Sequence, residues 1–342
     1  MRLFKKKARP EAQAEAIGEF WSWWATVRDE VAAAVEGGTV EGYGDAFGRR
    51  VDAIHPGLQW ELSPGDGSAH ALSVTPGGQA ELRAVAARWL AAAPPADAVW
   101  SYRAARAADP STFESVMEMG GHKLELSEIR YGVTVDQQRR QADVVCYHPA
   151  FAGLPDDMRG QVTFLSLDWA IGEDAVEIWL GEISWTGAEP AEPRTPAELR
   201  QAVGALAAGE DSWMLMQGQR DDGVPLLAMA TAPLRPARWP RFDLHVPVRL
   251  PYAQYNAGQL PADESLEALR RFEDEVAAAI GGNGALVAHE TSRRLRTLHF
   301  YVDAQSNARA EIESRLPQWR EGRSSAEARL DPAFDGVRHL MQ

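Results

Sequence analysis

Apolar residues recur at spacings of three and four between Glu11 and Val35, where Ile17, Phe20, Trp24, Val27 and Val31 form one stripe before Gly37-Gly38 stops the run. That period predicts a helix, with Trp21 and Trp23 off its stripe. A second helical segment, Tyr43 to Ile54, ends at His55-Pro56-Gly57, since proline cannot continue a helix and glycine accepts positive φ. Leu58 to Leu62 and Ala69 to Val74, joined by Pro64-Gly65-Asp66-Gly67, read as a β-hairpin, followed by a helix from Gln79 to Leu90 and a strand from Val99 to Ala104. The same order returns further on. Tyr131 to Val135 and Val144 to Tyr147 form a strand pair, Met158, Val162, Leu165 and Trp169 mark a helix, and Val176, Ile178 and Leu180 alternate as a strand. No residue-level repeat accompanies this second series.

Beyond it, Glu189-Pro190-Ala191-Glu192-Pro193-Arg194-Thr195-Pro196 has no apolar period, and its prolines favour a stiff, extended spacer. A helix over Ala197 to Ala208 precedes a hairpin of Trp213 to Gln217 and Val224 to Met229, turned by Asp221-Asp222-Gly223. Phe242, Leu244, Val246, Val248 and Leu250 alternate with polar residues, which predicts a strand with one buried face. Leu266, Leu269, Phe272, Val276 and Ile280 then define a helix stopped by Gly281-Gly282. Strands follow at Leu286-Val287 and Leu298 to Val302, a helix at Ile312, Leu316 and Trp319, a strand at Ala326 to Leu330, and a terminal helix after Asp331-Pro332. This βαββαβ order predicts a ferredoxin-like domain. Pro247 fits it awkwardly, because the first strand of that arrangement is central and proline cannot donate to a ladder.

The expected class is therefore α+β with two domains. A flexible basic tail occupies 1–10 and an N-terminal α+β domain occupies 11–187, built as a helical lead-in and a mostly antiparallel α/β sandwich. The spacer covers 188–196, and the ferredoxin-like domain covers 197–342 with an extra N-terminal hairpin and a terminal helix.

Composition agrees with two compact cores, since 342 residues with 45% hydrophobic content exceed the usual size of one domain. The formal charge of −14 sets a field that repels phosphate backbones, so nucleic acid is not an expected partner. The exception is the basic run through Lys5, Lys6, Lys7 and Arg9. After it, Pro10 to Glu15 interrupts the apolar region that a secretory signal would need, and no stretch is long enough to span a bilayer. With Cys146 as the single cysteine, neither an intrachain disulfide nor a cysteine-based zinc cage can form, which fits a reducing cytoplasm.

The candidate chemistry is sparse. Asp168, Glu173, Asp174, Glu177 and Glu182 are the densest carboxylates near apolar residues and could divide into acid and base roles, although such runs usually face water. Cys146 and His148 lie two apart on an expected strand and so share a face, where a thiolate could meet an imidazole base; a packed small hydrophobe beside a strand-ending histidine is the plainer reading. The histidines are otherwise scattered, so a metal site would have to be assembled by the fold. The Gly-Gly pairs lack the residues of a phosphate loop. Arg293-Arg294-Leu295-Arg296 could grip an anion or simply be a solvated turn. No catalytic, cofactor-binding or metal residue is assigned, and no cofactor is expected. A helix cannot bury three tryptophans and a phenylalanine on one narrow stripe, so at least one ring must face another domain, a partner or water; packing within the chain is the plainer reading, and Trp21 and Trp23 are the candidate partner-binding residues.

Trp213, Asp222-Gly223-Val224-Pro225, Val246 to Leu250, Glu267 to Ile280 and His299-Phe300-Tyr301-Val302 together resemble the bacterial family called domain of unknown function 695, over about 213–341. That family is similar, more distantly, to the regulator of ribonuclease E activity B, a small acidic ferredoxin-like protein that inhibits an enzyme by binding it. The resemblance implies a binding role and carries over no functional residue. The favoured reading is a non-catalytic protein-binding or regulatory protein, with self-association open. Two alternatives remain. One is an enzyme using the carboxylates of 168–182 or the Cys146/His148 pair, and the other is a toxin-neutralising immunity protein.

Overall fold

The computed structural model describes residues 10–341; the basic run at Lys5 to Arg9 lies outside the described residues. The chain is mixed helix and sheet, and it divides into two compact units, Met1–Arg106 and Ala107–Gln342.

In the first unit, α1 (Pro10–Glu36) and α2 (Gly44–Ile54) lead into β1 (Gln59–Pro64), β2 (His70–Thr75), α3 (Ala80–Ala91) and β3 (Trp100–Arg103). The sheet order is β1-β2-β3, with β1 and β2 an antiparallel hairpin and β3 parallel to β2 after the α3 crossover. Because side chains alternate along strands, Trp60, Leu62, Leu72, Val74, Trp100 and Tyr102 share one face. They pack with Ile17, Phe20 and Trp24 of α1, Phe47 and Val51 of α2, and Leu82, Val85 and Trp89 of α3.

The second unit opens with a small hairpin that the sequence did not suggest, β4 (Val116–Met119) and β5 (His122–Glu125). The strand-strand-helix-strand series then returns as expected. β6 (Arg130–Asp136) and β7 (Gln141–Tyr147) are antiparallel, α4 (Asp156–Ile171) crosses over, and β8 (Leu180–Thr186) lies parallel to β7. The two three-stranded sheets thus share one pairing scheme. The strand expected from Val176 to Leu180 is instead a short helix, α5 (Glu173–Trp179), followed by β8. Gly172, at φ 85°, breaks α4 from α5, and Glu173 and Asp174 sit in the first turn, where carboxylates favour a helix start.

The expected spacer does not coincide with the boundary between the two units. Tyr131 and Arg194 exchange backbone hydrogen bonds of 2.8 Å, so 188–196 runs along β6. Past it, α6 (Pro196–Ala207) starts on a capping box of Thr195 and Glu198, and it buries Leu199, Val203 and Leu206 in the core beneath β6, β7 and α4. Arg140, in the turn between β6 and β7, donates to the main-chain oxygens of Leu206 (2.7 Å), Gly209 (2.8 Å), Glu210 (2.6 Å) and Ala232 (3.4 Å). The first three close the carboxyl end of α6, where carbonyls lack helical partners.

A larger sheet follows, from β9 (Ser212–Gln219), β10 (Pro225–Ala232), β11 (Leu244–Pro251), α7 (Asp263–Ile280), β12 (Gly284–Ser292), β13 (Leu295–Val302), α8 (Ala308–Arg315), β14 (Ser325–Ala326) and β15 (Arg329–Leu330). Its order is β14-β11-β13-β12-β10-β9, every neighbour antiparallel, with β15 also on β11. Pro247 is accommodated at a gap: β14 pairs with Val248 and Arg249, and β15 with Leu244 and His245. The strand expected over Ala326 to Leu330 is thereby split in two around the residue that cannot donate. One face of the sheet packs under α7 and α8 through Val246, Val248, Leu298, Phe300, Leu269 and Phe272. The other lies under the C-terminal segment, where Phe334, Val337 and Leu340 meet Val287, Ala288 and Tyr301. The expected terminal helix is a tighter 3-10 turn, Asp335–Leu340, because Phe334 takes φ 57° and interrupts an α-helical start.

Candidate functional site

Trp21 was expected to point away from the core, and the structure corrects this. Its side chain is buried, it stacks on Trp89 at 4.6 Å, and its indole donates to the Trp89 carbonyl oxygen at 2.9 Å. Trp24, fully buried, donates to Tyr102 Oη at 2.9 Å. The cause is geometric: α1 packs against both α2 and α3, so its apolar arc is wider than a single stripe. Trp23 is half-buried against Phe47, with the Arg50 guanidinium 4.1 Å from its ring.

Cys146 and His148 do not form a nucleophile and base. The thiol is fully buried, lies 3.8 Å from Ser166 Oγ, and is pushed up to about 11 by that burial, which leaves it protonated and unreactive at neutral pH. Both His148 nitrogens face the main chain. Nδ1 accepts from Ala150 N at 3.0 Å, so Nε2 carries the proton and donates to the Glu125 oxygen at 3.0 Å. The carboxylates of 168–182 are likewise dispersed: Glu173 is buried at the start of α5, Asp168 and Glu177 are half-buried on separate helices, and Glu182 alone of the five lines an open groove of about 660 Å³. That groove lies over the outer face of β6, β7 and β8, closed at one end where Pro190 crosses Gly132. Its other carboxylate on the sheet, Asp143, accepts from Arg139 at 2.9 Å and from Glu182 N at 2.8 Å.

The arginine run also separates. Arg293 pairs with Asp222, Arg294 lies 4.9 Å over Tyr255, and Arg296 makes a buried ion pair with Glu273 at 2.7 Å. Both Arg293 and Arg294 take positive φ, the requirement of a tight two-residue hairpin, so this is a turn and not an anion cradle.

The fold does assemble one polar cluster that the sequence left scattered. His245 Nε2 and His299 Nδ1 are 3.0 Å apart under the C-terminal segment. His299 Nε2 stands 3.8 Å from Glu290, an ion-pair distance longer than a hydrogen bond, and Glu290 also meets the partly exposed His339. Tyr301 donates to Asp331 at 2.7 Å, and burial together with that carboxylate holds its phenol far above the usual range. Burial, then the neighbouring His299, pushes His245 down to about 3, so it is neutral at physiological pH. The imidazoles of His299 and His339 hold Glu290 down at about 2. Asp331 meanwhile accepts from Asp335 N and Gly336 N, both at 2.8 Å, and so caps the final turn. The cluster reads as a latch for the C-terminal segment. Among the described residues no group of three or more His, Cys, Asp or Glu is arranged to hold a metal ion.

The remaining feature is an open sheet edge. Leu298, His289, Met229 and Leu215 form one cross-strand row on the face that α7 and α8 cover. Burial falls steadily along it: Leu298 is fully buried, His289 and Met229 are half-buried, and Leu215 is 50% exposed. Two helices cover the central strands and stop short of β9 and β10. Trp213, beside Leu215 on that face, is 40% exposed, 6.1 Å from the His289 ring. β9 ends the sheet, so one row of its backbone N–H and C=O groups has no strand beside it. Its sequence, Ser-Trp-Met-Leu-Met-Gln-Gly-Gln, carries no formal charge and no proline. Edge strands in soluble proteins usually have such a guard. In the sequence Trp213 opens a hairpin and the run that carries the family resemblance, and neither reveals that β9 has one neighbour.

Among the described residues no helix is long and apolar enough to cross a membrane. Comparison with family models, with curated proteins and with solved structures gives no match.

Proposed function

We propose that this is a non-catalytic binding protein that recognises a polypeptide by strand addition at β9. The observation that carries the reading is the uncharged, unguarded edge of β9 with Trp213 and Leu215 exposed beside it. In this mode main-chain hydrogen bonds to the edge give affinity, and pockets for alternate side chains give specificity. Tryptophan is enriched among residues that dominate binding energy. The order β14-β11-β13-β12, with α7 and α8 as crossovers, supports a ferredoxin-like reading of 244–330, in which β9 and β10 are an added hairpin. We also propose the kinship with the domain of unknown function 695 family expected from the sequence, although no family model matches the chain; that kinship would imply a binding role.

The test is capture from a lysate of the native host by immobilised wild-type protein and by Leu215→Lys and Trp213→Ala. The wild type should retain a stoichiometric polypeptide, the chain itself included, and the variants should lose it at least about tenfold, as expected of hot-spot substitutions. Equal retention by all three would overturn the reading.

A further inference from the structure

We infer that the turn 331–337 in the C-terminal segment is an acid-released cover of the larger sheet, lifting locally when His245 takes up a proton. The geometry of the His245 ring carries this. It projects from β11 beneath the turn, is 2% exposed, and stacks on Tyr301 at 4.6 Å. Its Nε2 and His299 Nδ1, 3.0 Å apart, share one hydrogen bond, in which one ring donates and the other accepts. Nδ1 has no hydrogen-bond partner among the described residues. In the imidazolium form both nitrogens carry hydrogens, so the charge and the Nδ1 hydrogen need an acceptor.

Every neighbour on that side is committed. Gly336 packs so closely that a Cβ there would collide with Nδ1 and Cε1 of His245 and with Arg329 Nη2, so no water fits between them. Asp331 Oδ2 stands 3.9 Å from Nδ1, but it already accepts from Tyr301 Oη at 2.7 Å and from Gly336 N at 2.8 Å, while Oδ1 accepts from Asp335 N at 2.8 Å. Turning to His245 would undo that cap. The other charges facing the ring are His299 and Arg329 of β15, and both oppose a further positive charge. Glu290 lies beyond His299, 3.8 Å from its Nε2 and paired with His339, and His289 is on the opposite face of β12. Proton uptake and the seated turn therefore exclude one another. Lifting the turn admits water to the ring, which then protonates at its ordinary 6.5 and not at about 3, where burial and then His299 hold it. Each pH unit below 6.5 thus favours the lifted form about tenfold, down to about 3. Glu290, held at about 2 by His299 and His339, stays charged over that range, so its pair with His339 is not what acid breaks. Release frees Phe334 from Tyr301, whose rings stack at 3.6 Å. The sheet itself stays held from its other face by the apolar core under α7 and α8.

Amide hydrogen exchange of the full chain at about pH 7.5, 6 and 5 tests it, each rate being divided by the intrinsic rate at that pH. The amides of Phe334, Asp335, Gly336 and Val337 close the turn, and in the wild type they should lose protection about tenfold per pH unit below 6.5. Those pairing β11 with β13 should keep theirs. His245→Gln retains a hydrogen-bonding side chain that takes no proton, and it should abolish the pH dependence. If that variant disturbs the sheet, Gly336→Ala decides: its methyl pushes the turn off the ring and should lower protection of the same amides about tenfold at about pH 7.5, with the β11 and β13 amides unchanged. Turn amides as protected at about pH 5 as at 7.5 overturn the inference. So does a pH dependence that survives His245→Gln, a loss shared equally by β11 and β13, or a Gly336→Ala turn protected as in the wild type.

Discussion

Two tryptophan-bearing segments behave in opposite ways. α1 concentrates Phe20, Trp21, Trp23 and Trp24 in five positions and buries nearly all of that surface, because α2, α3 and the first sheet close on it from several sides. β9 has a single tryptophan in an unremarkable hairpin and leaves it 40% exposed, because its sheet is wider than the two helices that cover it. Local aromatic density therefore reports how many elements converge on a segment. Availability for a partner depends on where the cover stops, which is a property of the sheet and not of the residues.

The contrast can be broken most forcefully at Trp24. Trp24→Ala removes a fully buried ring and should destabilise the first unit by about 3 to 5 kcal/mol, read from denaturant melts. Trp21→Ala should cost about 3 kcal/mol, at the lower end because the ring is slightly accessible. A loss below about 1 kcal/mol would return Trp21 to the role of surface anchor.

Acid should come next, acting on the second unit through its histidine cluster. His245 is held down to about 3 against an ordinary value of 6.5, so as pH falls the unfolded chain takes up the proton first. The stabilisation is complete above pH 6.5 and is lost progressively down to pH 3, amounting to about 2 kcal/mol at pH 5. His289, lowered to about 4 chiefly by burial, acts in the same direction. Glu290 at about 2 adds stability that is present above the ordinary carboxylate range and disappears as pH falls toward 2. Melting temperature against pH should show this slope, and His245→Gln should flatten it between pH 6.5 and 5. The smallest effect is expected at the edge itself. Trp213→Ala should change monomer stability by no more than about 0.5 kcal/mol, since it removes contacts from one side of an open sheet. A loss comparable to that of Trp21→Ala would mean that β9 is covered.

Much of the architecture was legible because period and punctuation agree there. The hairpins at Pro64 to Gly67 and Asp221 to Gly223 were readable from their turn residues, and the helix ending at Gly281 from its stripe and stop. Val176, Ile178 and Leu180 misled, since three alternating residues fit either period and only the Gly172 break separates them. The place of 188–196 was hidden for another reason: what makes it part of a packed unit is backbone pairing to Tyr131, which leaves no side-chain signature. The histidine cluster was invisible because His245 and His299 meet only through the register of β11 and β13, where His245 lies opposite Tyr301 and Pro247 opposite His299. The edge at β9 was out of reach because nothing in a strand's own residues states how many neighbours it has.

Arg140 has a consequence for how the gene can be divided. Its guanidinium ties the turn after β6 to the end of α6 and to the last residue of β10. A fragment starting at 197 would keep those carbonyls and lose the residue that satisfies them, and would turn Leu199, Val203 and Leu206 out to water. A fragment ending at 187 would keep the guanidinium without the four carbonyls it serves, and a core with one wall missing. Cloning by the proline pattern would therefore cut through one compact unit, whereas a cut after Arg106 falls between the two.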